Sequence, residues 1–144
     1  MIRVQKNEKG FTLLELLMVV IIIAILASIA LPQYFRVTER SRTGQVVQLL
    51  ASLRGSEMRY RAQSPSDSYD NSVGLVDIDL SPLPVMPAGW ATPTVSGTVP
   101  GSDVSSARVG GTHAGATIDI DLDTGNVCAS GGAATDWGMA ASPC

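Results

Sequence analysis

The sequence predicts an α+β fold, with one long kinked N-terminal helix over about residues 12–62 packed on a small antiparallel β-sheet. Three observations predict it. Residues 16–31, LLMVVIIIAILASIAL, form an apolar run without a charge. Beyond them Val46, Leu50, Leu53 and Tyr60 recur at three- and four-residue spacing, with Val47 and Leu49 alongside, which marks a one-sided helix. The remaining chain breaks into short runs of alternating apolar and polar residues separated by Gly, Pro and Asp, which are strand and turn signals. A chain of 144 residues holds one such domain plus an appendage.

The apolar run comes first. With residues 11–14 added and Glu15 as the single interruption, it forms a helix of about 30 Å, the hydrocarbon thickness of a bilayer. Arg3, Lys6 and Lys9 precede it, so the positive-inside rule places residues 1–10 in the cytoplasm and everything beyond Pro32 outside. Pro32 lacks an N–H and clashes with the carbonyl of Ser28, so the helix kinks or loosens there. A secretory signal fits the basic start and Ser28-Ile29-Ala30, a small-x-small pattern that would release a chain beginning at Leu31. A plain uncleaved anchor fits the length. Neither explains Glu15, since an acid in an apolar span costs about 2–3 kcal/mol at mid-membrane and is usually there for a partner.

Past Pro32 the helix continues in water-facing form, weakened at Gly44 and Gly55 by about 1 kcal/mol each relative to Ala. Arg40, Arg42, Arg54, Arg59 and Arg61 lie largely off the apolar stripe, on a face that is solvated or turned to a neighbouring subunit. Residues 64–72, SPSDSYDNS, break the helix with Pro and turn formers. Residues 73–84 form an apolar-anchored loop over the sheet edge or the helix. Strand candidates are residues 90–96, 104–109, 116–122 and 126–130, with a turn at residues 123–126 where Gly125 supplies positive φ.

Charge is unevenly distributed: +2 over residues 1–10, −1 over 11–35, +4 over 36–61 and −8 over 62–144. The acidic C-terminal part argues against nucleic acid as a partner, because phosphate binding needs clustered cations. Asp119, Asp121 and Asp123 invite calcium, but their alternation with Ile118, Ile120 and Leu122 is more simply a half-buried strand with acids outward, and no Glu follows at the calcium-loop position. His113 is the only histidine and sits in a Gly-rich surface loop; no hydrolase, metallopeptidase, redox or nucleotide-binding motif accompanies it, so no enzyme activity, metal or cofactor is expected. Cys128 and Cys144 lie in the translocated part, where a disulfide is the natural reading; closing a loop of about 17 residues would stabilise by about 3 kcal/mol.

Residues 9–15, Lys-Gly-Phe-Thr-Leu-Leu-Glu, then the apolar run and Ala30-Leu31-Pro32-Gln33-Tyr34, resemble a type IV prepilin of type IVa-like form over about residues 9–61. The resemblance implies the pilin fold and three regions: a prepilin leader at 1–10, a hydrophobic transmembrane and filament-core helix at 11–35, and a globular head at 36–144. It implies that a membrane aspartyl peptidase cuts between Gly10 and Phe11 and that Phe11 is then N-methylated. That cut removes a +2 leader and leaves 134 residues of net charge −5. Glu15 matches the glutamate that pairs with a neighbouring subunit's amine during assembly, and Pro32 matches the residue that closes the span. The family often has Gly eight residues before that Pro; here Ala24 stands there, which makes unwinding less assured. Residues 73–84 are similar to a segment seen in several members, and the loop between Cys128 and Cys144 resembles the pilins' variable C-terminal disulfide loop. The implied function is a structural subunit of an extracellular pilus serving adhesion or twitching motility, a helical homopolymer held in the inner membrane before assembly. Its partners are further copies of itself, the prepilin peptidase and the assembly machinery. A pseudopilin or minor pilin of a type II secretion or DNA-uptake system is the alternative, and a membrane-anchored or secreted binding domain is the reading from a different class.

Overall fold

A computed structural model describes residues 10–69, 85–96 and 99–142. The loop expected at residues 73–84 lies outside the described residues. In chain order the elements are α1 (Leu13–Gln63), β1 (Thr94–Ser96), β2 (Asp103–Ala107), β3 (Thr117–Asp121), β4 (Val127–Ala129), α2 (Ala133–Trp137) and β5 (Ala140–Ala141). Packing divides the chain into two compact units, Met1–Val37 and Thr38–Cys144.

The first unit contains the apolar part of α1. Thr12 caps it: its Oγ1 accepts the backbone N–H of Glu15 at 3.2 Å, satisfying one of the donors that a helix start leaves unpaired. The helix runs through Pro32 without interruption, although Pro32 has no N–H to offer the carbonyl of Ser28. Its large apolar side chains are exposed along the whole length from Phe11 to Val37. By length and composition this helix is able to cross a membrane.

In the second unit the chain makes one five-stranded sheet in the order β1-β2-β3-β4-β5. β1–β2, β2–β3 and β3–β4 pair antiparallel, with Val104 opposite both Val95 and Ile120, and Ile118 opposite Ala129. Period-two alternation puts Val95, Val104, Ile118 and Ile120 on one buried face. Val46, Leu50 and Leu53 of α1 share a single core with them, joined by Leu122, Ala129, Trp90 and Trp137. Asp103, Ser105, Asp119 and Asp121 line the opposite, half-exposed face.

The sheet departs from the sequence-based expectation of an antiparallel sheet: it is mixed, because β5 pairs parallel to β4, with Cys128 opposite Ala140. A parallel return needs a crossover, and α2 provides it. Gly138 ends α2 in the left-handed conformation with its N–H on the helix carbonyls, turning the chain into β5. Neither α2 nor β5 is legible as a periodic pattern, since elements of five and two residues are too short to carry one. The first strand is also shorter than residues 90–96. Pro93 has no ladder donor, so regular pairing begins only at Thr94, and Trp90 makes an isolated bridge to Arg108.

Leu50 is fully buried where the helix meets the sheet. Leu50→Ala is expected to lower the unfolding free energy of the head by about 2–5 kcal/mol, read by urea denaturation of the detergent-solubilised chain, whereas Met58→Ala, on the exposed face, changes it by under about 0.5 kcal/mol.

Candidate functional site

The chemistry-bearing residues fall in two places, the start of α1 and the helix–sheet junctions of the second unit. At the first, Gly10 and Phe11 are exposed and non-helical, Thr12 is the cap, and Glu15 is the third residue of the helix. An added Cβ at Gly10 would meet nothing within 4 Å, so the backbone there is open to approach. Thr12 and Glu15 form the T-x-x-E spacing of a capping box, a signal present in the sequence that the motif-based reading passed over. Its consequence is electrostatic: the Glu15 carboxylate stands in the first turn, where the unpaired N–H groups and the helix dipole favour negative charge. Part of the cost of an acid in an apolar helix is therefore offset within its own chain.

In the second unit, side chains of α1 clamp the sheet and its loops. Arg61 Nη1 donates to Asp123 Oδ1 at 2.7 Å and to Tyr69 Oη at 3.0 Å, and Arg61 Nε donates to Asp67 Oδ1 at 2.7 Å. Tyr69 Oη donates to the same Asp123 oxygen at 2.9 Å, and the Gly101 N–H donates to Asp123 Oδ2 at 3.1 Å. One carboxylate thus joins the helix end, the segment that follows it, the β1–β2 connection and the β3–β4 turn. Arg54 supports the same turn through the carbonyls of Leu122 and Asp123. The Gly101 N–H, the Tyr69 hydroxyl and Arg61 hold the Asp123 carboxyl below the usual carboxylate range, and Arg61 does the same for Asp67. Burial raises the Tyr69 phenol.

A second clamp is built on Arg108, whose side chain is 6% exposed. Its Nη2 donates to both oxygens of Glu39 at 3.0 and 3.1 Å, and its guanidinium lies 5.6 Å from the Trp90 ring. Gly89, at φ +87°, admits this approach: a Cβ there would run into the Arg108 guanidinium. Trp90 in turn packs on Trp137 at 5.2 Å between ring centroids.

Two expectations change here, for the arginines and for His113. The arginines are not simply a solvated or intersubunit face, since Arg40 donates to the Asp136 carbonyl and Arg54 and Arg61 hold the head's own loops. His113 is not merely a surface loop residue: its ring meets Trp137 edge-on at 5.5 Å and its Nε2 lies 3.0 Å from Asp136 Oδ2. Asp119, Asp121 and Asp123 do not converge. The first two lie on the outward face of β3, while both oxygens of Asp123 are taken by Arg61, Tyr69 and Gly101. Among the described residues no group of three or more His, Cys, Asp or Glu is placed to hold a metal ion. Asp103, directly opposite Asp121, is pushed up by burial and by its two acidic neighbours. Cys128 is buried on β4, and Cys144 lies outside the described residues.

Comparison with known proteins singles out the helix. A family model described as the prokaryotic N-terminal methylation motif matches residues 5–31. A fimbrial protein of Pseudomonas aeruginosa is 49% identical over 49 residues, covering 34% of this chain and 32% of its own. The type IV major fimbrial protein FimA of Dichelobacter nodosus is 49% identical over 47 residues, 33% of this chain and 30% of its own, and fimbrial protein EcpC of Eikenella corrodens is 38% identical over 65 residues, 45% and 42%. The chain therefore aligns with about a third to two-fifths of the length of these relatives. No solved structure matches. Over its N-terminal part the chain is similar to type IV pilins and carries their methylation motif.

The Asp123 clamp has a signed pH dependence. Because the folded-state carboxyls of Asp67 and Asp123 are depressed, their stabilisation is complete above the unfolded carboxylate pKa of about 4 and is lost as pH falls through the lower folded value. Asp123→Asn is expected to lower the melting temperature at pH 6 and to flatten the loss of stability below pH 4, as read by circular dichroism melts across that range.

Proposed function

We propose that this chain is a type IV pilin precursor, matured by cleavage between Gly10 and Phe11 and N-methylation of Phe11, and polymerised through α1 into an extracellular pilus. The observation that carries the proposal is the methylation motif at residues 5–31, together with the helix that begins within it at Leu13 and whose large apolar side chains are exposed as far as Val37. Such a surface is stable in lipid and equally among the helices of other subunits, so one segment serves as inner-membrane anchor before assembly and as filament core after it. The chain acts as a structural subunit, as its fimbrial relatives do, with no catalytic step of its own.

Each site residue then has a physical task. Gly10 presents an unobstructed peptide bond to the peptidase. The new amine on Phe11 precedes the cap at Thr12, and Glu15 pairs with the amine of the next subunit. That pairing neutralises two charges that are each costly in a dry core, so it rewards the correct axial register. Pro32 marks the far end of the span. A Cys128–Cys144 disulfide would fasten the C-terminal segment to the sheet. What supports it is the parallel pairing of β5 beside Cys128 and the Ser142 N–H donating to the Ala129 carbonyl, which bring the chain within two residues of Cys144 alongside β4.

Protein sheared from the cell surface is expected to begin at N-methylated Phe11 and to be lighter by the hydrogens lost in one disulfide, by N-terminal sequencing and intact mass. A chain beginning at Leu31 would sink the proposal. Glu15→Ala is expected to leave membrane insertion and cleavage intact while reducing surface filaments at least tenfold, counted by electron microscopy against membrane-fraction immunoblots.

A further inference from the structure

One turn of α1 is unlike the helix on either side of it. Residues 34–37, Tyr-Phe-Arg-Val, go once around the axis, since 3.6 residues make a turn. Tyr34, Phe35 and Val37 are 64, 61 and 64% exposed, and the compact head begins only at Thr38. The Tyr34 and Phe35 rings meet edge to face at 6.2 Å on the outside of the helix. N-terminal to this collar the helix has no aromatic residue and a single charge, Glu15; C-terminal to it, Val46, Leu50 and Leu53 turn inward and are fully buried. The collar therefore presents exposed aromatic and cationic side chains around the helix.

Its height is set by the helix rise. From Leu13 to Tyr34 the axis advances about 32 Å, so a span that starts at one face of a bilayer brings Tyr34 and Phe35 to the opposite headgroup layer and Arg36 about 3 Å beyond. Aromatic rings prefer that layer, and an arginine stem lies along it while its guanidinium meets phosphate. Arg36 also lacks another employment. Arg40 donates to Asp136 and Arg42 lies 3.6 Å from Glu39, whereas among the described residues no ion pair engages Arg36. Topology does not account for it either: Arg36, Arg40 and Arg42 match in number the three cations of residues 1–10, against the bias of the positive-inside rule.

We propose that Tyr34, Phe35 and Arg36 form a lipid-headgroup anchor, with Arg36 on a lipid phosphate, that fixes the depth of the unassembled subunit at the outer face of the membrane. The proposal rests on the membrane-spanning reading of α1. Continuity with the apolar span and the match of guanidinium to phosphate select lipid over a second copy as the occupant. The collar is released when the subunit leaves the bilayer, so its contacts oppose extraction.

Glycosylation mapping on the full chain in microsomes tests it, with Asn-x-Thr acceptors placed at successive positions after Val37 and the first position modified taken as the boundary. The combined variant Tyr34→Ala, Phe35→Ala, Arg36→Ala is expected to move that boundary by about two residues or more, and Gln45→Ala to leave it in place. An unmoved boundary overturns the anchor, including the case in which the variant still loses filaments, which would assign the collar to a second copy. If no acceptor is modified at any position, the spanning reading itself has failed and the anchor with it. Carbon–phosphorus dephasing in arginine-labelled full chain, reconstituted in phosphatidylethanolamine and phosphatidylglycerol vesicles, supplies the second readout. A guanidinium signal close to phosphorus that disappears in Arg36→Gln supports the anchor, and an identical spectrum in the two proteins overturns it.

Discussion

A helix that is apolar on every side has no stable place in water. That constraint governs the first unit, where the large apolar side chains from Phe11 to Val37 stand exposed over more than five helical turns. The segment must be surrounded, either by lipid or by other helices, and the two environments are similar enough for one sequence to satisfy both. The polar details of the segment follow from the same constraint. Thr12 satisfies a backbone donor that the helix start leaves unpaired, and Glu15 stands in the first turn, where the helix dipole favours a negative charge.

The head solves the opposite problem. It has a small core in which Val46, Leu50 and Leu53 of α1 meet the inward strand residues, Trp90 and α2, and much of its definition comes from charged side chains that reach from the helix into loops. Arg61 and Arg108 are placed differently. Arg61 is partly exposed and gathers three segments on one carboxylate, so it orders loops; Arg108 is buried, paired with Glu39 and stacked on Trp90, so it fixes how the sheet sits on the helix. Removing Glu39 would leave the Arg108 charge in a place from which water is largely excluded.

The sequence was most legible where a single period dominated. The helix bounds, the apolar stripe and the four strand candidates followed from spacing, because those residues face one core and nothing competes with that signal. The strand at Thr94–Ser96 was over-extended, since Trp90 and Ala91 look like strand residues but Pro93 stops the ladder between them and Thr94. The parallel β5 was invisible because two alanines carry no pattern, and the crossover that places them is a tertiary fact. At the start of α1 the site residues were readable as a motif, while the cap linking Thr12 to Glu15 was equally readable and was missed in favour of the charge alone. The loop arginines lay beyond sequence reasoning for a different reason: Arg61 and Asp123 are 62 residues apart, and no local pattern announces such a pair.

The continuity of α1 has a mechanical consequence. A pull on the apolar segment is carried along α1, which runs unbroken from Leu13 to Gln63. Inside the head that helix is fastened to the sheet at Val46, Leu50 and Leu53 and by Glu39, Arg54 and Arg61, attachments spread over more than twenty residues. Load arriving along the helix is shared among them in shear, so they must yield together. A head attached at one end would be peeled away contact by contact at far lower force.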